Sequence, residues 1–166
     1  NKTKGHMAFN SKGPKITPYD LASLFNKITN LSIKPSFVIL GGSLPRDLNP
    51  NLYAQLIHAF REQGIKVALD ADNEPLRLGI EEKPYLIKPN EHEFARLIGY
   101  QPQNIEECVR AGLGLLKKGL EIILLSRGAD GLLVISQEEV YSVIPPKIEV
   151  KSTIGSGDSA LAAFML

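Results

Sequence analysis

The stretch Tyr85-Leu86-Ile87-Lys88-Pro89-Asn90-Glu91-His92-Glu93-Phe94-Ala95-Arg96-Leu97-Ile98-Gly99 decides the fold. Tyr85 to Lys88 is a short apolar run stopped by proline, the pattern of a buried strand. Asn90 stands where a helix cap belongs, with Glu93 three residues on. Phe94, Leu97 and Ile98 then recur at helical spacing, and Gly99 marks the stop. A strand running straight into a helix is half of a βαβ unit.

The same alternation continues in both directions. Upstream, Thr17-Pro18-Tyr19-Asp20 reads as a capped helix start, followed by Leu21, Leu24, Phe25, Ile28 and Leu31 on one face. Phe37 to Leu40 is a buried strand ending in Gly41-Gly42. Asn49-Pro50 starts a second helix with Leu52, Leu56, Ala59 and Phe60 on one face and Gly64 as its stop. Lys66 to Asp70 is the next strand. Downstream, Asn104 caps a helix whose stripe is Ile105, Cys108, Val109, Gly112, Leu115 and Leu116, closed by Lys117, Lys118 and Gly119. Glu121 to Leu125 is a strand. Gly131 to Ser136 and Val140 to Val143 pair as a hairpin across Gln137-Glu138-Glu139, and Ile148 to Lys151 is a last strand before a glycine turn. The pattern predicts an α/β fold with a mainly parallel sheet, in which ligands sit outside the carboxyl ends of the strands.

Composition agrees with one soluble domain. The 166 residues are 43% hydrophobic and 22% charged, enough to bury a core and unlike a disordered or collagen-like chain. Nineteen Lys and Arg against 18 Asp and Glu leave a net charge of +1, so no field points to nucleic acid or an anionic membrane. The single Cys108 excludes an internal disulfide and a multi-cysteine metal site, and makes the cytoplasm the default location. No apolar run reaches the roughly 18 residues of a membrane span, and no signal-peptide pattern is present. The opening at Asn1 and the apolar run Ala160 to Leu166, with no stop signal, lead us to expect a fragment, residues 1–166 forming one domain of a longer protein.

Chemistry is sought at the strand ends. Ser152-Thr153-Ile154-Gly155-Ser156-Gly157-Asp158-Ser159 follows a strand and opens a helix. Its glycines let the backbone approach an anion, and the helix start favours negative charge. Asp158, in the first turn, is placed to take a proton from an attacking hydroxyl; equally, it is a helix-capping acid beside a tight turn. Gly155-x-Gly157-x-x-Ala160 also fits a dinucleotide fingerprint, but the acid expected about 20 residues later falls beyond the chain. There is no GxxxxGK[ST] loop and no HExxH. His6, His58 and His92 are far apart in sequence, and surface positions are expected for His58 and His92. Lys88 can meet nucleotide phosphate, and Asn90 with Glu93 can order Mg2+ and its waters, or can be a capping box. Ser126-Arg127-Gly128-Ala129-Asp130-Gly131 offers glycines over which a nucleotide can lie, or a plain turn. Gly41-Gly42-Ser43-Leu44-Pro45 can line a substrate pocket, or end a strand.

Taken in order, Gly42-Ser43-Leu44-Pro45, Lys88-Pro89-Asn90-x-x-Glu93, Ser126-x-Gly128-Ala129-Asp130-Gly131 and Thr153-x-Gly155-Ser156-Gly157-Asp158-Ser159 resemble the second half of the PfkB (ribokinase-like) carbohydrate kinases. Asn10-x-x-Gly13-Pro14 is similar to the branch holding 1-phosphofructokinase and tagatose-6-phosphate kinase. The resemblance implies a three-layer α/β/α sandwich, here without its N-terminal part, β lid and last helices. It implies Asp158 as catalytic base and the amides of Gly155, Ser156 and Gly157 as an anion hole. Lys88, Asn90, Thr153 and Ser126 to Gly131 (with Arg127, Gly128, Ala129 and Asp130) would face ATP, Asn90 and Glu93 would organise Mg2+, and Asn10, Gly42 and Ser43 would face the sugar.

Ser156 stands where the family usually has Ala, Arg46-Asp47 follows the Gly-Ser-Leu-Pro motif, and Asp70-Ala71-Asp72-Asn73-Glu74 lacks the usual Ser-Gly. The implied partner is a ketohexose phosphate, with neither nucleic acid nor membrane, and family dimers form through the lid. The implied activity is fructose 1-phosphate phosphorylation, with tagatose 6-phosphate and fructose 6-phosphate as runners-up. A nucleotide-binding module without catalysis and a dinucleotide oxidoreductase are the readings from other classes.

Overall fold

A computed structural model describes residues 13–45, 47–146 and 155–165. Six strands form one sheet in the order of the chain: β1 (Phe37–Gly41), β2 (Lys66–Asp70), β3 (Leu86–Ile87), β4 (Ile122–Ser126), β5 (Leu132–Ser136) and β6 (Val140–Val143). β1 to β4 are parallel, and β5 and β6 are added antiparallel. The helices are α1 (Pro18–Thr29), α2 (Leu52–Arg61), α3 (Asn73–Glu81), α4 (Glu91–Ile98), α5 (Ile105–Leu116) and α6 (Ser156–Phe164).

The period of two along each strand sorts its side chains between two cores. Val67, Leu69, Ile87, Ile123, Leu125, Leu133 and Ile135 face the larger one, filled by side chains of α1 to α5 such as Ile57, Leu76, Phe94 and Leu116. Ala68, Leu86, Leu124 and Val134 face the other way, onto Leu161 of α6. The result is the expected sandwich of helix, sheet and helix. Leu161 is the buried anchor of α6, and its burial contributes roughly 2 kcal/mol to docking that helix. No helix among the described residues is long and apolar enough to cross a membrane.

The caps read from sequence are in place. Thr17 and Asp20 form a capping box, as do Asn90 and Glu93, and the Asn104 side chain accepts the Glu107 amide. Gly99 ends α4 in the left-handed conformation, φ 86°. The second helix begins slightly later than Asn49-Pro50 implies: the Asn49 side chain accepts the Asn51 amide, and Leu52 is the first helical residue. The expected strand over 148–151 lies outside the described residues.

One element was not foreseen. Between β2 and β3 the chain forms α3, capped by Asp72, with Leu76, Gly79 and Ile80 buried. Pro75 and Gly79 disguise it. Pro75 falls in the first turn, where no helical donor is lost. Gly79 is required because a Cβ there would collide with Leu69 of β2 and crowd Ile57 of α2. Tight packing against the sheet, not helix propensity, selects the residue.

Candidate active site at the carboxyl ends of the strands

The strand ends meet around a cavity of about 470 Å3 lined by Gly42, Ser43, Asp70, Asp72, Glu93 and Asp158, among others. β1 delivers Gly42, whose φ of 93° turns the chain away from the sheet. The Gly42 amide donates to the Asp70 carbonyl, and the Tyr53 hydroxyl of α2 lies 2.8 and 2.9 Å from the carbonyl oxygens of Gly41 and Gly42. This loop is therefore held from beneath by a buried tyrosine.

β2 ends at Asp70 and β3 delivers Lys88. The Lys88 Nζ lies 3.1 Å from Asp70 Oδ2, with the lysine side chain only 7% exposed. The same ammonium sits against the backbone of Gly157, where a Cβ would approach it to 2.9 Å. Glycine at 157 thus makes room for the charge under the first turn of α6. Gly155 caps that helix in the left-handed conformation, φ 77°, and Asp158 in its first turn is exposed toward the cavity.

The charges interact. Burial pushes the Asp70 carboxyl above its ordinary value; Lys88 opposes this, and the negative charge of Asp158 adds to it. Burial likewise raises Glu93, opposed by its hydrogen bond from the Asn90 amide and reinforced by Asp72. Because the folded-state value of Glu93 exceeds the unfolded one, the folded protein binds that proton more tightly. Its contribution to stability is present below the ordinary value of 4.5 and is lost as pH rises through the raised value. Glu93→Gln keeps an acceptor for the cap while removing this titration. Expected is a thermal midpoint that falls less steeply than the wild type's as pH rises from the ordinary value of 4.5 through the raised one. Thermal melts across that range check it, and an unchanged slope refutes it.

The residues singled out in the sequence divide between two adjoining places. Gly42, Ser43, Glu93 and Asp158 line the cavity, with Lys88 and Gly157 packed at its edge. Asn90 turns its side chain to the Glu93 amide, 2.9 Å, and its backbone bridges to Ser126 of β4. Ser126 to Gly131 occupies the next strand end, around a 3-10 turn over Gly128–Asp130. The Arg127 guanidinium reaches Glu91 of α4 at 3.4 Å, tying that loop to the α4 start. Asp130, Gly128 and Ala129 are exposed. Asn10 and Thr153 lie outside the described residues. Asp70, Asp72 and Tyr53 were missed as site residues. For Asp70 the signal was present, a carboxylate at the end of a predicted strand. Nothing in the sequence brings Tyr53 to the β1 loop.

For a metal, the donor set is entirely oxygen. Among the described residues no three His, Cys, Asp or Glu converge to hold an ion. The Asn90 and Glu93 side chains are both engaged in the capping box of α4.

Residues 3–166 match the family described as pfkB family carbohydrate kinase. The chain is 33% identical to 1-phosphofructokinase of Bacillus subtilis over 99% of its own length and 54% of the relative's. It is 35% identical to D-tagatose-1-phosphate kinase of Bacillus licheniformis, over 93% of this chain and 51% of that one. The crystal structure of phosphofructokinase-2 from Escherichia coli in complex with fructose-6-phosphate superposes with a TM-score of 0.84 at 26% identity, covering 93% of this chain and 51% of that one. The chain spans about half the length of the curated relatives it matches.

Proposed function

Because the chain belongs to the pfkB family of carbohydrate kinases, we propose that the full-length protein is an ATP- and Mg2+-dependent sugar-phosphate kinase whose preferred acceptor is fructose 1-phosphate, giving fructose 1,6-bisphosphate and ADP. The observation that carries this reading is Asp158 in the cavity lining, next in the chain to Gly157, against which the Asp70-paired Lys88 ammonium packs. In this reading Asp158 accepts the proton of the sugar hydroxyl as its oxygen attacks the terminal phosphorus. The amides of Gly155, Ser156 and Gly157 receive the transferring phosphoryl oxygens, aided by the dipole of α6. Lys88 places a positive charge beneath that turn. Mg2+ supplies further charge neutralisation, with Asn90 and Glu93 as its candidate holders. Thr153 and the loop from Ser126 to Gly131 are assigned to ATP, and Asn10, Gly42 and Ser43 to the sugar.

The described lining of the cavity is acidic and carries no Lys or Arg. It therefore suits the hydroxyl-bearing end of an acceptor. The choice of fructose 1-phosphate is supported by the names of the relatives, one of which is a D-tagatose-1-phosphate kinase. Ketose 1-phosphates as a class are therefore the nearest second reading.

ADP release by the full-length protein with Mg-ATP tests the proposal against fructose 1-phosphate, tagatose 1-phosphate, tagatose 6-phosphate, fructose 6-phosphate and ribose. Turnover with a marked preference for fructose 1-phosphate is expected. Preference for another sugar corrects the substrate, and a folded protein that releases no ADP with any of them supports a non-catalytic nucleotide-binding module.

A further inference from the structure

A second pocket, of about 220 Å3, opens at the opposite edge of the sheet, where the strands begin. Lys66 is the first residue of β2, Tyr85 immediately precedes β3, and Glu121 immediately precedes β4. Along β2, from Lys66 to Asp70, this pocket and the candidate active site lie roughly 13 Å apart, four rises of about 3.3 Å each. Its charged lining is Arg61, Lys66, Lys83 and Glu121, three cations to one acid.

Each cation is held by something other than a carboxylate. The Lys66 ammonium lies 4.0 Å from the centre of the Tyr85 ring. Arg61 donates from Nη1 to the Glu82 carbonyl at 2.7 Å, while the Glu82 carboxylate engages His58. Lys83 lays its stem across Gly119, where a Cβ would come within 2.9 Å of Cδ. Among the described residues none of the three forms an ion pair with an acid.

The backbone gives a second, independent indication. Lys83 has φ 54°, a left-handed conformation in which glycine is far cheaper than lysine. It ends α3, its amide donating to the Ile80 carbonyl, and glycine is the usual residue at such a place. A strained non-glycine residue points to a use for its side chain. Here that side chain is one wall of the cationic pocket.

We infer that this pocket binds a small phosphate dianion, either free phosphate or the phosphate of a small monoester. Three positioned cations with unspent donors match its charge and its several acceptor oxygens. The volume of about 220 Å3 admits a phosphate group and a short substituent.

The test is titration of the full-length protein with inorganic phosphate at constant ionic strength, followed by amide NMR. Saturable shifts are expected at Lys83, Tyr85 and Gly119. Lys66→Gln with Lys83→Gln should weaken them at least tenfold. Lys83→Gly relieves the backbone and so keeps the fold, and it too should weaken binding. Glycerol 2-phosphate as a second probe distinguishes the sources: tighter binding of the ester assigns the pocket to phosphorylated metabolites, and tighter binding of phosphate to the free ion. Shifts confined to Gly155–Asp158, no saturation with either probe, or affinity unchanged in both variants each overturn the inference.

Discussion

Asp158→Asn is expected to lower ADP release by the full-length protein about a thousandfold while ATP affinity stays within about threefold of wild type. Asparagine preserves the size of the side chain and cannot accept the hydroxyl proton. Asp158 is exposed at the start of α6 and makes no ion pair among those described, so its replacement leaves the core untouched. The influence of Asp158 on Asp70 also disappears: the carboxyl of Asp70 should titrate lower, because one of the negative charges raising it is gone. Steady-state kinetics and nucleotide titration separate the two effects. A variant that turns over at wild-type rate refutes Asp158 as the base. A variant that loses ATP binding in parallel with turnover refutes it too, since the residue would then be holding nucleotide or structure.

Gly131→Ala is expected to destabilise the chain by about 4 kcal/mol, lowering the thermal midpoint by roughly 8 to 16 °C. Gly131 has φ 87° and ψ −136°, a region nearly closed to other residues. A Cβ there would fall on the backbone oxygen of Val143 and come within 2.7 Å of Pro145 Cδ. Neither neighbour is the free end of a flexible side chain. Strain and overpacking, each of about 1 to 3 kcal/mol, therefore combine. The Gly131 carbonyl also accepts the Arg127 amide at 2.8 Å, so the shift spreads into the candidate nucleotide loop. A melt within about 2 °C of wild type shows that β6 yields easily and refutes the packing argument.

These two residues differ in how they could be found. Asp158 is legible because it belongs to a local pattern: two glycines, then an acid in the first turn of a helix. Gly131 is legible as a turn glycine, but its intolerance comes from Val143, on a strand paired antiparallel with β5. Gly79 is a sharper case. In the sequence it argues against a helix, and only the proximity of Leu69 and Ile57 explains why α3 carries it.

By itself the sequence determined the alternation of strands and helices, the caps at Thr17, Asn90 and Asn104, and the placing of the Gly42, Lys88 and Ser126 motifs at strand ends. Each of these rests on interactions within a few residues, where periodicity and capping chemistry act. Tertiary structure alone decided that Lys88 pairs with Asp70 and lies under Gly157, that Tyr53 supports the Gly41-Gly42 turn, and that Arg61, Lys66 and Lys83 share one pocket. Those contacts join residues up to 69 positions apart. They exist because the parallel sheet brings successive strand ends side by side, a register that packing of the whole core fixes.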